Sequence, residues 1–178
     1  MRNTQFWIKY FLFFVIVLFL VNPHLSATVM PEWQKGMSYF SWNWSGLTTA
    51  DSNSTIQVMS SDSILWVALC DFWIQDNATT TINFPDKDIL KARTEAVKYA
   101  IDQIHSHGMK VQLKPMINLR TRQWRAMIQP SDAWFSSYSS YIQFWAELAK
   151  EKHVEMLCLG CELRNTQPWD TSWRMIAA

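Results

Sequence analysis

Four times along this chain a short run of strand-forming residues is followed by a stretch with helical spacing. Residues 35–40 read as a first strand, followed by the aromatic loop Trp42-Asn43-Trp44 and a short helix over 52–61, with Ile56 and Met59 at helical spacing. Residues 64–70 form a second strand that opens into a polar loop over 71–85 containing Trp73 and Gln75. Asp86 or Asp88 caps a long helix striped by Ile89, Ala92, Ala96, Val97, Ala100, Ile101 and Ile104 and closed by Gly108. Residues 110–115 make a third strand, whose Pro115 is expected to stop the ladder. After a loop with Arg120, Arg122, Trp124 and Arg125, Ser131 or Asp132 caps a helix striped by Trp134, Tyr138, Tyr141, Ile142, Trp145 and Leu148. Residues 156–163 supply the fourth strand and residues 170–176 begin another helix. Such alternation implies a parallel sheet with right-handed crossovers. The loops after the strands are long and rich in Trp, Lys, Arg and Glu, whereas those before them are short, the asymmetry of an active barrel face.

The fourth strand, Met156-Leu157-Cys158-Leu159-Gly160-Cys161-Glu162-Leu163, is apolar until it ends in a carboxylate. A strand without polar alternation is expected to be buried on both faces, and an acid at its carboxyl end stands where α/β barrels place their chemistry. The competing reading is a strand-end Glu paired with a neighbouring Lys or Arg. A formal net charge of +1 supplies neither a basic field for nucleic acid nor an acidic tail. Eleven Trp is the unusual count; more than half are expected in packing, and the others are suited to stacking on the C–H faces of sugar rings.

The first 27 residues read as a signal peptide. Arg2 and Lys9 precede an apolar run over 11–21, Asn22-Pro23 breaks any helix, and Leu25-Ser26-Ala27 offers a small-residue cleavage site. The alternative is an uncleaved amino-terminal anchor through residues 6–21. Either way the remainder, residues 28–178, is expected on the secretory side. The triplets beginning at Asn43, Asn53 and Asn77 are glycosylation acceptors that agree with this. Cys70, Cys158 and Cys161 read as small buried residues, because the Cys158/Cys161 spacing lies within a strand rather than at a helix start. His105 and His107 read as solvated residues of a helix end rather than a metal pair. No metal or cofactor is implied.

Several segments, in order, resemble glycoside hydrolase family 113: Lys35-Gly36-Met37-Ser38, Trp66-Val67-Ala68-Leu69, the stretch from Gly108 to Leu113-Lys114-Pro115, Trp124-Arg125, Trp134-Phe135-Ser136-Ser137-Tyr138 and Leu159-Gly160-Cys161-Glu162-Leu163. The likeness runs from about residue 33 to residue 174. It implies a (β/α)₈ TIM barrel, of which the chain supplies about the first four β/α units, with β-mannanase as the family's best-known activity. It also implies that Glu162 matches the general acid/base. Cys161 stands where the family tends to carry a small residue such as Thr, and Ala126 where it often has Gly.

Retaining hydrolysis needs two carboxyl groups about 5 Å apart. In the family the nucleophile is a Glu ending the seventh strand, so the chain reads as the amino-terminal half of a longer enzyme or the product of a truncated gene. The expected partner is a polysaccharide or oligosaccharide, β-1,4-mannan first. Trp73 and Trp124 are candidates for sugar stacking, with Lys114, one strand over from Glu162, for a hydroxyl contact. Asp71, after the second strand, is suited to a sugar hydroxyl or a neighbouring cation. The alternatives are a carbohydrate-binding remnant without turnover and a barrel completed by association of two halves.

Overall fold

The computed structural model describes residues 33–178; the leader expected over 1–27, with its apolar run, lies outside them. Four strands, β1 (Gly36–Tyr39), β2 (Trp66–Gln75), β3 (Lys110–Leu119) and β4 (Met156–Leu157), form one sheet in chain order, every neighbouring pair parallel. Between them run α1 (Ala50–Ser61), α2 (Lys87–Ser106) and α3 (Asp132–Glu151), and α4 (Asp170–Ala177) follows β4. The parallel sheet is what the alternation implied, and four β/α units make an incomplete (β/α)₈ barrel, as the resemblance implied. Among the described residues no helix is long and apolar enough to cross a membrane.

The helices form where their caps and stripes require. Thr49, Asp86 and Ser131 each accept a backbone N–H with the side chain at the start of α1, α2 and α3. Gly108 follows α2 at φ +75°, a left-handed stop that an L side chain rarely adopts. The α3 stripe is buried as read, joined by Phe135 and Ala149, whereas on α2 the stripe begins at Ala96 because Ile89 is half exposed.

The strands differ from expectation in a way that matters for the site. β2 continues through Asp71 to Gln75, so what reads as a polar loop is strand. β3 alternates strictly. Val111, Leu113, Pro115, Ile117 and Leu119 are buried on the helix side, while Lys110, Gln112, Lys114, Met116 and Asn118 occupy the other face. Pro115 does not end the ladder. Lys110 and Arg120 donate to Leu65 and Gln75, which sends the even-numbered N–H groups of β3 toward β2. Val111 donates the other way, to the Glu155 carboxylate, and the Leu113 carbonyl accepts from Cys158. The donor Pro115 lacks would therefore have faced β4, just past the Leu113–Leu157 pair where the β4 ladder ends. The fourth strand is accordingly two residues long rather than eight, and with a described neighbour on one side only it is half-buried rather than covered on both faces.

The core between sheet and helices is aromatic. Trp73, expected on a loop and free to stack on sugar, is 1% exposed within β2. Its ring lies 4.8 Å from those of Tyr141 and Phe84 and 6.0 Å from that of Trp145. This corrects its assignment: no sugar reaches it. Gln75, also read as loop, is fully buried and accepts the Trp134 indole N–H at 2.9 Å while donating to the Asn77 carbonyl. His105 is not simply solvated, since its ring meets Glu155 at 3.3 Å. Truncating Trp73 to Ala is expected to cost about 3–5 kcal/mol of stability, read as a lowered urea midpoint, with Trp73→Phe losing less.

Candidate active site at the carboxyl end of the sheet

Glu162 stands on the loop that leaves β4, and its backbone is left-handed at φ 56°, a conformation that costs a non-glycine residue energy and persists only when its surroundings impose it. Those surroundings are identifiable. The Tyr138 hydroxyl of α3 donates to the Leu159 carbonyl at 2.8 Å. Trp173 of α4 lies over Gly160, where a Cβ would sit 3.0 Å from its ring, so any other residue would push the indole back. Thr166 donates to the Leu163 carbonyl at 2.7 Å, and the Trp173 indole donates to Thr166 in turn. Trp169 and Trp173 both pack on Phe135, tying α4 to α3.

Two donors converge on one oxygen of Glu162. The Trp124 indole N–H reaches Oε2 at 2.8 Å, and Arg125 Nη1 reaches the same atom at 3.4 Å. The Arg125 guanidinium is largely buried and aimed by β3: Nη2 donates to Asn118 Oδ1 at 2.5 Å, and Nη1 lies 3.6 Å from the Met116 sulfur. Met116 and Asn118 are adjacent even-numbered positions of β3, so the inner face of the sheet orients the cation that orients the acid. Oε1 accepts none of the hydrogen bonds made by the described residues, and the side chain is half exposed. A groove of about 450 Å³ opens there, lined by Trp124, Glu162, Gln167, Asp170 and Trp173 among others. Asp170, the second carboxyl on this groove, is held by Arg174 at 2.8 Å.

Lys114 is not at a strand end beside Glu162. β3 runs on to Leu119, which leaves Lys114 in mid-strand, paired in register with Cys70, and Arg125 takes the place expected for it. Burial pushes the Cys70 thiol up, with Lys114 opposing. Cys70 is buried as expected, but Cys158 and Cys161 are only partly so, and all three are free thiols. Trp124 is on the rim, 55% exposed. Sequence reading passed over the roles of Arg125 and Asn118. Asn118 lies beyond the point where Pro115 was expected to end the strand, and no local signal marks which of the loop arginines turns inward.

Asp71 does not face a sugar. It lies on the helix side of β2, 5% exposed, 3.4 Å from Arg93 of α2. Burial pushes its carboxyl up from an ordinary 3.8 to about 6, with Arg93 only partly opposing. Of the three acceptor asparagines, Asn43 is exposed and Asn77 is partly so, in an Asx turn that accepts from Thr79. Asn53 is different: it lies within α1 and its amide nitrogen donates to the Tyr99 hydroxyl at 2.8 Å. A glycan on that nitrogen would have to be accommodated beside this contact between α1 and α2.

The family model for Glycoside Hydrolase Family 113 matches residues 37–178. The chain belongs to that family. The solved structures it is similar to include a GH113 β-1,4-mannanase determined in a complex, at 26% identity and a TM-score of 0.70, covering 80% of this chain and 50% of that one. A GH113 β-1,4-mannanase structure at 25% identity has the same score and coverage. The fold is also that of the GH113 β-mannanase AaManA from Alicyclobacillus acidocaldarius in complex with ManMIm, at 24% identity, a TM-score of 0.70, and 80% and 49% coverage. The chain thus spans about half the length of these solved relatives. No curated protein sequence matches it.

One outcome follows from the geometry around the site. Well below pH 3.8 Asp71 is neutral whether folded or not; between about 3.8 and 6 the unfolded chain releases the proton while the folded one keeps it. Stability therefore falls as pH rises through that window. A rise from 3.8 to about 6 corresponds to ~3 kcal/mol, so Asp71→Asn should gain about that much on the wild type between pH 4 and 7 in urea denaturation; a flat difference contradicts it.

Proposed function

We propose that this family 113 member is a secreted retaining glycosidase acting on β-1,4-mannan, with Glu162 as its general acid/base. The observation that carries the reading is the two-donor grip on Oε2 of a half-exposed rim carboxyl that lines an open groove. In the first step the protonated acid gives its proton to the glycosidic oxygen as a second carboxylate attacks the anomeric carbon. In the second, the same group, now ionised, takes a proton from water as the covalent intermediate is hydrolysed. A second carboxylate about 5 Å away also favours the protonated form that the first step requires. Trp124 and Arg125 act as positioning residues, and Trp124 retains an exposed ring for a sugar face.

The resemblance puts the nucleophile at the end of a seventh strand. Coverage of 50% of the solved relatives supports reading the chain as the amino-terminal half of the enzyme, with residues 28–178 as its barrel portion. On that reading the 178-residue chain alone does not turn over mannan. Secretion rests on the leader over 1–27 and on Asn43, Asn53 and Asn77; an anchor through residues 6–21 would keep the enzyme at the membrane. A binding protein without turnover is the second reading, favoured by the finding that Asp170, the other carboxyl of the groove, is tied to Arg174.

In the protein carrying the later barrel units, Glu162→Gln should lower kcat/KM on β-1,4-mannan by about 10²–10⁴-fold. The loss should shrink on an aryl glycoside whose leaving group needs no proton, and azide should restore turnover to Glu162→Ala. Full mannanase activity in Glu162→Gln would overturn the assignment. Binding with no turnover even in the longer protein would favour the second reading.

A further inference from the structure

At the opposite end of the same rim, the loop after β1 presents the indole of Trp42, 77% exposed, more than that of Trp124. Among the described residues little covers this indole, yet aromatic rings brace it. The Phe40 ring meets it at 5.1 Å and the Phe72 ring at 5.9 Å, both edge-on. Phe72 is in turn fixed from behind: the Arg93 guanidinium lies 5.8 Å from its ring centre, and Arg93 is anchored by Asp71 and by the Phe72 carbonyl. The loop itself is tightly closed. The Ser41 hydroxyl donates to the Asn43 carbonyl at 2.6 Å, and Asn43 accepts from Ser45. A Cβ at Gly46 would fall against the Ser41 hydroxyl and turn it away from Asn43.

Register links this aromatic group to the acid. The β1–β2 pairing ends at Tyr39–Leu69, and beyond it the Trp42 ring meets that of Phe72. Phe72 pairs with Met116, whose sulfur lies against Arg125, which holds Glu162. Trp42 and Glu162 thus stand on one edge of the sheet, separated by three strand spacings, about 14 Å. That is too far for the ring undergoing cleavage and within reach of another ring of the same oligosaccharide.

We propose that Trp42, braced by Phe40 and Phe72, is a remote sugar-stacking platform that binds a pyranose of a β-linked polysaccharide away from the bond being cleaved. The inference rests on the reading of Glu162 as the acid/base of a polysaccharide hydrolase and adds the place where the chain is gripped. Its ligand is the C–H face of a pyranose ring, which a bare indole recognises without a charged partner. Because the platform is rigid before the sugar arrives, binding costs little ordering of the protein.

The test compares wild type, Trp42→Ala and Trp42→Phe, all in the protein carrying the later barrel units and made in a host that does not glycosylate Asn43. Calorimetric affinity for β-1,4-linked mannohexaose and mannotriose is measured with Glu162→Gln added, so that the sugars are not cleaved, and thermal melting and mannan turnover are measured without it. The expected result is a loss of about tenfold for the hexasaccharide in Trp42→Ala, equivalent to ~1.4 kcal/mol. Trisaccharide affinity and melting temperature should stay unchanged, and Trp42→Phe should fall between. Unchanged hexasaccharide affinity with turnover intact would overturn the platform and leave the hydrolase reading standing. A lowered melting temperature with equal losses for both sugars would make Trp42 a packing residue and also overturn it. If wild type neither binds nor cleaves the hexasaccharide, both readings fall together.

Discussion

The ten-residue parallel pairing of β2 with β3 is the member on which the rest of the molecule hangs. Every position has a partner from Trp66–Lys110 to Gln75–Leu119, so both strands are straight enough for their side chains to alternate cleanly. One face is given to aliphatic and aromatic residues that meet α2 and α3. The other carries Cys70, Phe72, Lys114, Met116 and Asn118, residues of mixed polarity that a solvated or ligand-filled interior tolerates. Without that long pairing there would be no fixed level from which Asn118 could direct Arg125 toward Glu162.

The rim depends on the directions of individual hydrogen bonds. Pro115 removes a donor only on the side of β4, so β2 and β3 stay paired while β4 is released early. The released segment does not wander, because Tyr138 takes the Leu159 carbonyl and Trp173 packs on Gly160. The chain then turns through a left-handed residue, Glu162 itself, which lifts the carboxyl toward Trp124 and Arg125. The aromatic core below, with Trp73, Tyr138, Tyr141 and Trp145 in contact, makes this turn stiff enough to hold such a conformation.

Helices α2 and α3 were legible because their apolar residues recur at a spacing that no strand or loop shares, and because Ser131, Asp86 and Gly108 mark ends by mechanisms local to the backbone. Glu162 was legible as an acid following the fourth strand, although it stands on the loop five residues past the end of that strand. Three residues were not. Trp73 stands among polar neighbours that locally resemble a loop, and only pairing with β3 makes that stretch a strand. Pro115 carries a general prohibition whose force depends on which neighbour its missing N–H would face. Arg125 is one of three loop arginines, and its inward turn follows from Asn118 and Met116 waiting on the sheet.

Taken alone, the amino-acid order determined the alternation of strand and helix, the parallel sheet and the identity of the rim acid, because periodicity, caps and residue chemistry are properties of short stretches. Tertiary structure alone decided which tryptophans are bare and which are core. It also decided which cation meets Glu162 and that Asp71 meets a neighbouring cation, Arg93, rather than a sugar hydroxyl. Those outcomes depend on distances between residues far apart in the chain, and such distances exist only once the strands have paired.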